Sequence, residues 1–119
     1  MTDKISPLVT LSDPRSPVAE AYRTLRTNIE FSSLDRSLHT LLVTSPSPNE
    51  GKSTTLANLA VTMAQAEKKT ILVDADLRRP GLHTLFGVGN EAGLTTMFVD
   101  SKSMQAPPLH DVGDRKSVV

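Results

Sequence analysis

The stretch that decides the fold is Ser45-Pro46-Ser47-Pro48-Asn49-Glu50-Gly51-Lys52-Ser53-Thr54, a turn-rich string set between an apolar run and an apolar helical pattern. Before it, Leu41-Leu42-Val43 sits within residues 38–44 and reads as a buried strand. After it, Leu56, Leu59 with Ala60, and Met63 recur at helical spacing across residues 52–69. That segment closes on Lys68-Lys69, where cations suit the negative end of a helix dipole. A second apolar run, Thr70-Ile71-Leu72-Val73, leads into Asp74-Ala75-Asp76-Leu77-Arg78-Arg79-Pro80. Strand, loop, helix and strand within about 35 residues predict a βαβ unit with a parallel, right-handed crossover.

The chemistry of the loop follows from that placement. Backbone N–H groups of residues 47–53, all but Pro48, which has none, can wrap a phosphate, helped by the positive end of the helix dipole. Gly51 permits close backbone approach, Lys52 supplies a point charge toward the outer phosphates, and the Ser53 hydroxyl is placed to ligand Mg²⁺. The first glycine of G-x-x-x-x-G-K-[ST] is absent, because Pro46 stands there. A bare Gly-Lys-Ser-Thr string can equally be a solvated helix start. The strand before it, the helix after it and the Asp-x-Asp at the same predicted sheet edge favour phosphate binding. Asp74 and Asp76 can hold Mg²⁺ directly or through water, or one can accept a proton; as loop residues they can also simply cap a turn or helix. Arg78 and Arg79 can stabilise phosphate charge or remain solvated.

Outward from this unit the sequence is less patterned. Ser16 is a plausible N-cap with Pro17 at the first helical position, followed by a stripe of Val18, Tyr22, Leu25 and Ile29. Glu20 with Arg23, and Arg26 with Glu30, are spaced to meet on its polar face. Residues 1–16 read as an extended arm, residues 17–100 as an incomplete P-loop domain, and residues 101–119, with Pro107-Pro108 and no period, as a disordered tail that adds no strand. Short helical turns are expected at residues 82–86 and 93–99. The fold class is therefore α/β: a P-loop NTPase-like parallel sheet with flanking helices, incomplete.

Composition sets the outer bounds. The chain has 119 residues and balances 13 Lys+Arg against 13 Asp+Glu, so no basic excess supports a broad nucleic-acid footprint. Cysteine is absent, which excludes disulfides and thiolate metal sites. His39, His83 and His110 are too scattered for ligand spacing. The N-terminus lacks the apolar core of a signal segment, and the apolar tracts fall short of the ~20 residues that span a bilayer. The expectation is a cytoplasmic chain whose link to the inner face of the membrane comes through a partner.

Residues 16–99 resemble the N-terminal part of a bacterial tyrosine kinase of the capsular or exopolysaccharide type. Three segments carry the resemblance. Glu20-Ala21-Tyr22-Arg23-Thr24-Leu25-Arg26 is similar to the family's E-x-x-R-x-x-R helix, residues 45–54 to its variant Walker A, and Ile71 to Pro80 to its apolar-D-x-D-x-R motif. The resemblance implies ATP with Mg²⁺ as donor and protein tyrosine as acceptor. It implies nucleotide contacts from Pro46, Ser47, Pro48, Asn49, Glu50, Gly51, Lys52, Ser53, Thr54 and Arg78. Metal contacts fall to Ser53, Asp74 and Asp76, and catalytic roles to Lys52, Asp74 and Asp76, with Asp74 as base or metal-water partner. It further implies self-association through Glu20, Arg23 and Arg26, and a transmembrane polysaccharide co-polymerase as activator. Two family features have no counterpart: the apolar strand ending in D-x-x-P, and the C-terminal tyrosine cluster, since Tyr22 is the one tyrosine. A truncated copy with little activity alone is expected. The competing readings are a partition or septum-site ATPase, disfavoured because Ser47 replaces that family's early lysine, and a non-catalytic nucleotide-binding assembly fragment.

Overall fold

The computed structural model describes residues 8–32, 38–46, 51–100, 102, 105, 108–111 and 116–118. Its organising element is helix α3 (Lys52–Gln65), against which a turn of helix α1 (Val9–Ser12), helix α2 (Pro17–Phe31), strand β1 (Thr70–Leu72) and helix α4 (Leu82–Phe86) all pack. Helix α5 (Leu94–Val99) follows, then strands β2 (His110–Asp111) and β3 (Lys116–Val118). The start of α2 is as its sequence dictates: Ser16 Oγ accepts the Ala19 N–H at 3.1 Å and Pro17 occupies the first turn.

Small residues on α3 set the packing. Ala57, Ala60 and Ala64 let neighbouring chain approach closely, and the cavity they leave is filled by Leu8, Leu72 and Leu82, with Leu56, Leu85 and Phe86 at its margin. Each fully buried leucine contributes about 2 kcal/mol of transfer free energy. Leu8 corrects the reading of residues 1–16 as an extended arm. Its neighbours form the turn α1, Leu8 is 2% exposed, and Thr10 is fully buried, its N–H and hydroxyl both donating to Asn58 Oδ1 at 3.1 and 2.8 Å. The run Leu8-Val9-Thr10-Leu11 is too short to show a period, so only the hole on α3 reveals the place of Leu8.

The end of α3 also differs from expectation. The helix stops at Gln65, short of Lys68-Lys69, in a Schellman closure: Lys68 N–H donates to Met63 O and Glu67 N–H to Ala64 O. Glu67 takes the left-handed position at φ +66°, which normally goes to glycine, so no glycine marked the stop.

The sheet departs most. Residues 38–44, expected as the first strand, lie in no ladder, and the βαβ unit has only its second strand. The described sheet has the order β1-β3-β2, with β1 and β3 parallel and β2 antiparallel to β3. Thr70, Ile71 and Leu72 pair with Lys116, Ser117 and Val118, so residues 101–119 do contribute a strand, against expectation. A helix satisfies its backbone within one segment, whereas a strand forms only where a partner offers hydrogen bonds. The open edge of β1 gives that partner to a three-residue segment too short to show a pattern. The fold is an incomplete P-loop NTPase-like α/β unit.

Candidate functional site

Gly51 turns the chain into α3 from the left-handed region, at φ +75°, a conformation in which any Cβ would be strained. Lys52 and Ser53, which follow Gly51 at the start of α3, line a cavity of about 440 Å³. Residues 41–44, residues 73–76, Leu56 and Leu82 make up the rest of its lining. Lys52, Ser53, Asp74 and Asp76, predicted from separate motifs, are thus brought to one place. Ser47, Pro48, Asn49 and Glu50 lie outside the described residues. Pro46 and Arg78 are exposed and do not line the cavity, and Thr54 points its carbonyl to Asn58 Nδ2 at 2.9 Å.

The two aspartates differ in how they are held. Asp74 Oδ1 accepts the Asp76 N–H at 3.1 Å, and its Oδ2 accepts the N–H groups of Gly81 and Leu82 at 3.0 and 3.1 Å. Asp76 Oδ1 accepts the Arg79 N–H at 3.0 Å. That bond, above all, holds the Asp76 carboxyl below its ordinary pKa. Partial desolvation opposes it, and the Arg78 N–H and the charges of Lys52 and Arg79 reinforce it. An ionised carboxylate across from Lys52 at a helix start is a donor set that suits a phosphate with a hard cation. Among the described residues no group of three or more His, Cys, Asp or Glu could hold a metal by themselves. A Mg²⁺ here would therefore complete its shell with phosphate oxygens and water, which is its habit.

The residues expected at a self-association surface divide. Glu20 and Arg23 pair on the exposed face of α2 at 2.8 Å. Arg26 does not stand on that outer face. Its side chain is 19% exposed, its Nη1 donates to Thr62 O at 2.7 Å, and its Nε meets Glu30 at 4.0 Å as the spacing predicts, Glu30 also pairing with Lys68 at 3.1 Å. Of the stripe Val18, Tyr22, Leu25 and Ile29, Val18 and Leu25 are 56% and 38% exposed while Tyr22 and Ile29 are half-buried, and the fully buried residue of α2 is Ala19. The stem of Arg26 becomes part of the packing between α2 and α3. Reasoning from the sequence also missed Asn58 and Thr10, which tie the N-terminal segment to the phosphate-site helix. The available signal was one asparagine inside the apolar run Leu56-Ala57-Asn58-Leu59-Ala60-Val61.

Comparison with known proteins agrees with this geometry. Residues 41–97 match the CobQ/CobB/MinD/ParA nucleotide binding domain family. Tyrosine-protein kinase YwqD of Bacillus subtilis is 50% identical over 98 residues, which is 82% of this chain and 41% of that protein. The putative tyrosine-protein kinase CapB of Staphylococcus aureus is 41% identical over 96 residues, 81% of this chain and 42% of CapB. The solved kinase domain of Escherichia coli tyrosine kinase ETK superposes with a TM-score of 0.86 at 30% identity, covering all of this chain and 47% of that one. Over most of its length this chain is similar to part of a bacterial tyrosine-kinase domain. The chimeric protein CapA2B2 gives the same result, with a TM-score of 0.88 and 36% identity over 98% of this chain and 51% of the chimera. The chain spans about half of those solved chains, and less than half of YwqD and CapB. Among its described residues no helix is long and apolar enough to cross a membrane.

Proposed function

We propose that the chain is the nucleotide-binding part of an ATP-dependent protein-tyrosine autokinase that regulates capsular or exopolysaccharide synthesis and export, with little activity alone. The observation that carries this reading is the shared cavity of Lys52, Ser53 and Asp76 in a chain 50% identical to YwqD over 98 residues. When bound, ATP would supply the phosphoryl group and Mg²⁺ would neutralise charge on its oxygens. Lys52 would hold the outer phosphates as a point charge, and the α3 amides after Gly51 would donate to phosphate oxygens along the dipole. Ser53 and Asp76 would be the oxygen donors for the metal, and residues 46–54, with Arg78 from outside the cavity, would make the remaining nucleotide contacts. The partial kinase domain comprises residues 17–100 together with the α1 segment from Leu8 and strand β3.

Phosphoryl transfer depends on positioning and electrostatics, so each absent charge partner weakens transfer more than it weakens binding. The D-x-x-P strand has no counterpart in this sequence, and the one tyrosine, Tyr22, is half-buried on α2 rather than presented. The partners fitting this reading are a transmembrane co-polymerase of the polysaccharide system, which would bring a cytoplasmic chain to the inner membrane face, and further copies meeting at Glu20, Arg23 and Arg26. The test is calorimetric titration of Mg²⁺-ADP into the chain and into Lys52→Ala, beside a phosphotyrosine assay with an exogenous tyrosine peptide. Binding weakened about tenfold or more by Lys52→Ala, with marginal transfer, is expected. Equal affinity for both chains rejects the site, and robust Lys52-dependent transfer rejects the low-activity reading.

A further inference from the structure

We propose that Asp74 is a positioning residue, the anchor that fixes the loop between β1 and α4 so that Asp76 faces the phosphate site. This rests on the nucleotide reading above and departs from the base or metal-water role that the resemblance implies for Asp74. The hydrogen bonds carry the argument. A carboxylate offers about four acceptor positions, and three of those on Asp74 are taken by main-chain N–H groups: Asp76, Gly81 and Leu82.

Those three donors lie two, seven and eight residues along the chain, so one side chain gathers both ends of the loop. Gly81 and Leu82 open α4, whose first amides have no partner within the helix, and Asp74 supplies one from outside it. The gain is amplified because Leu82, 1% exposed, belongs to the core against α3. Asp74 therefore links the end of β1, the turn at Asp76 and the core through a single group. Asp76, by contrast, is held only within its own turn, by the main-chain N–H groups of Arg79 and Arg78, and lines the cavity shared with Lys52. Of the two carboxylates, one is spent on geometry and the other is available to ligand.

Amide hydrogen exchange together with Mg²⁺-ADP titration separates the two roles. In the unaltered chain, the Gly81 and Leu82 amides are expected to exchange at least about tenfold more slowly than that of exposed Leu77. Asp74→Ala should erase this protection. Asp74→Asn, which keeps one acceptor oxygen and offers a second test if the alanine variant does not fold, should retain part of it. In Asp74→Asn the ratio of ADP affinities with and without Mg²⁺ should stay within about twofold of the unaltered chain. Asp76→Asn should do the opposite, leaving the exchange of Gly81 and Leu82 unchanged and removing the Mg²⁺ dependence. The proposal is overturned if Gly81 and Leu82 exchange as fast as Leu77 in the unaltered chain, or if Asp74→Asn abolishes the Mg²⁺ dependence while leaving their exchange slow. Absence of any ADP binding would reject the nucleotide reading, while the exchange pattern would still decide whether Asp74 is the anchor.

Discussion

Helix α3 and residues 38–44 are both apolar in sequence, yet one is the best-packed part of the molecule and the other among the least. On α3, Ala57, Asn58, Val61 and Thr62 are fully buried and Leu59 is 3% exposed. Across the phosphate cavity, Leu42 is 82% exposed, and beyond it Ile71 on β1 is 62% exposed. The difference lies in how each kind of backbone is satisfied. A helix closes its hydrogen bonds within itself and needs only side-chain partners, which α1, α2, β1 and α4 provide. A strand needs another strand before its side chains can be buried, and residues 38–44 have none among the described residues. Stability in this chain therefore resides in the helical layer.

The sharpest way to break that contrast is to remove one leucine from each region. Leu82→Ala takes a side chain out of the cluster of Leu8, Ala57, Ala60 and Leu72, and should cost about 2–5 kcal/mol, enough to unfold a domain of this size or nearly so. Leu42→Ser should change stability by less than about 0.5 kcal/mol, or raise solubility, because the side chain already stands in water. Urea unfolding followed by circular dichroism reads both. Comparable losses would mean that residues 38–44 carry packing that their exposure denies.

What the sequence made legible follows the same division. The cap and first turn of α2, the span of α3 up to its last turn, β1, and the short helices α4 and α5 are local features, written in Ser16-Pro17, in the period of residues 52–65 and in the run Thr70-Ile71-Leu72. The convergence of Lys52 and Ser53 with Asp74 and Asp76 was legible because both motifs sit at the same end of their elements. What was hidden depends on residues far apart in the chain. Leu8 fills a hole made by alanines about fifty positions on, β3 joins β1 from the far end, and Arg26 reaches Thr62. No window of sequence contains both members of these pairs. The fine division between Asp74 and Asp76 was hidden for another reason: both are Asp in one loop, and only the placement of the Gly81 and Leu82 amides tells them apart.

A smaller effect sharpens the contrast within α2. Arg23 and Arg26 are equivalent by spacing, but Arg23 bridges only to Glu20 on the surface whereas Arg26 crosses to the last turn of α3. Arg26→Ala removes a charge-assisted bond to a main-chain carbonyl together with packing of the arginine stem, and should cost about 1 kcal/mol. Arg23→Ala should cost under about 0.5 kcal/mol, as exposed pairs do. Thermal unfolding of the two variants gives the comparison, and sedimentation of the same samples shows whether either arginine also serves contacts between copies. Equal stability losses would put Arg26 back on the outer face.

The smallest effect concerns Asp76 and has a definite sign. Its pKa is lowered in the folded chain, first by the Arg79 N–H bond against some desolvation, and then by the Arg78 N–H and the charges of Lys52 and Arg79. A carboxyl whose folded pKa lies below its unfolded value stabilises the fold above the unfolded value, about 3.9 for Asp. That contribution disappears as the pH falls through the lower, folded pKa. The window is therefore acidic, and at neutral pH the turn over residues 76–79 is fully supported. Water screens this group, so the change in global stability should be slight, and the effect should appear locally in the carboxyl signal of Asp76 followed by NMR. The midpoint should lie below that of an unstructured Asp. Lys52→Ala should raise it only modestly, since Lys52 ranks behind the main-chain bonds among the causes. A midpoint at or above the ordinary value would mean that the Arg79 N–H does not hold Asp76 in solution.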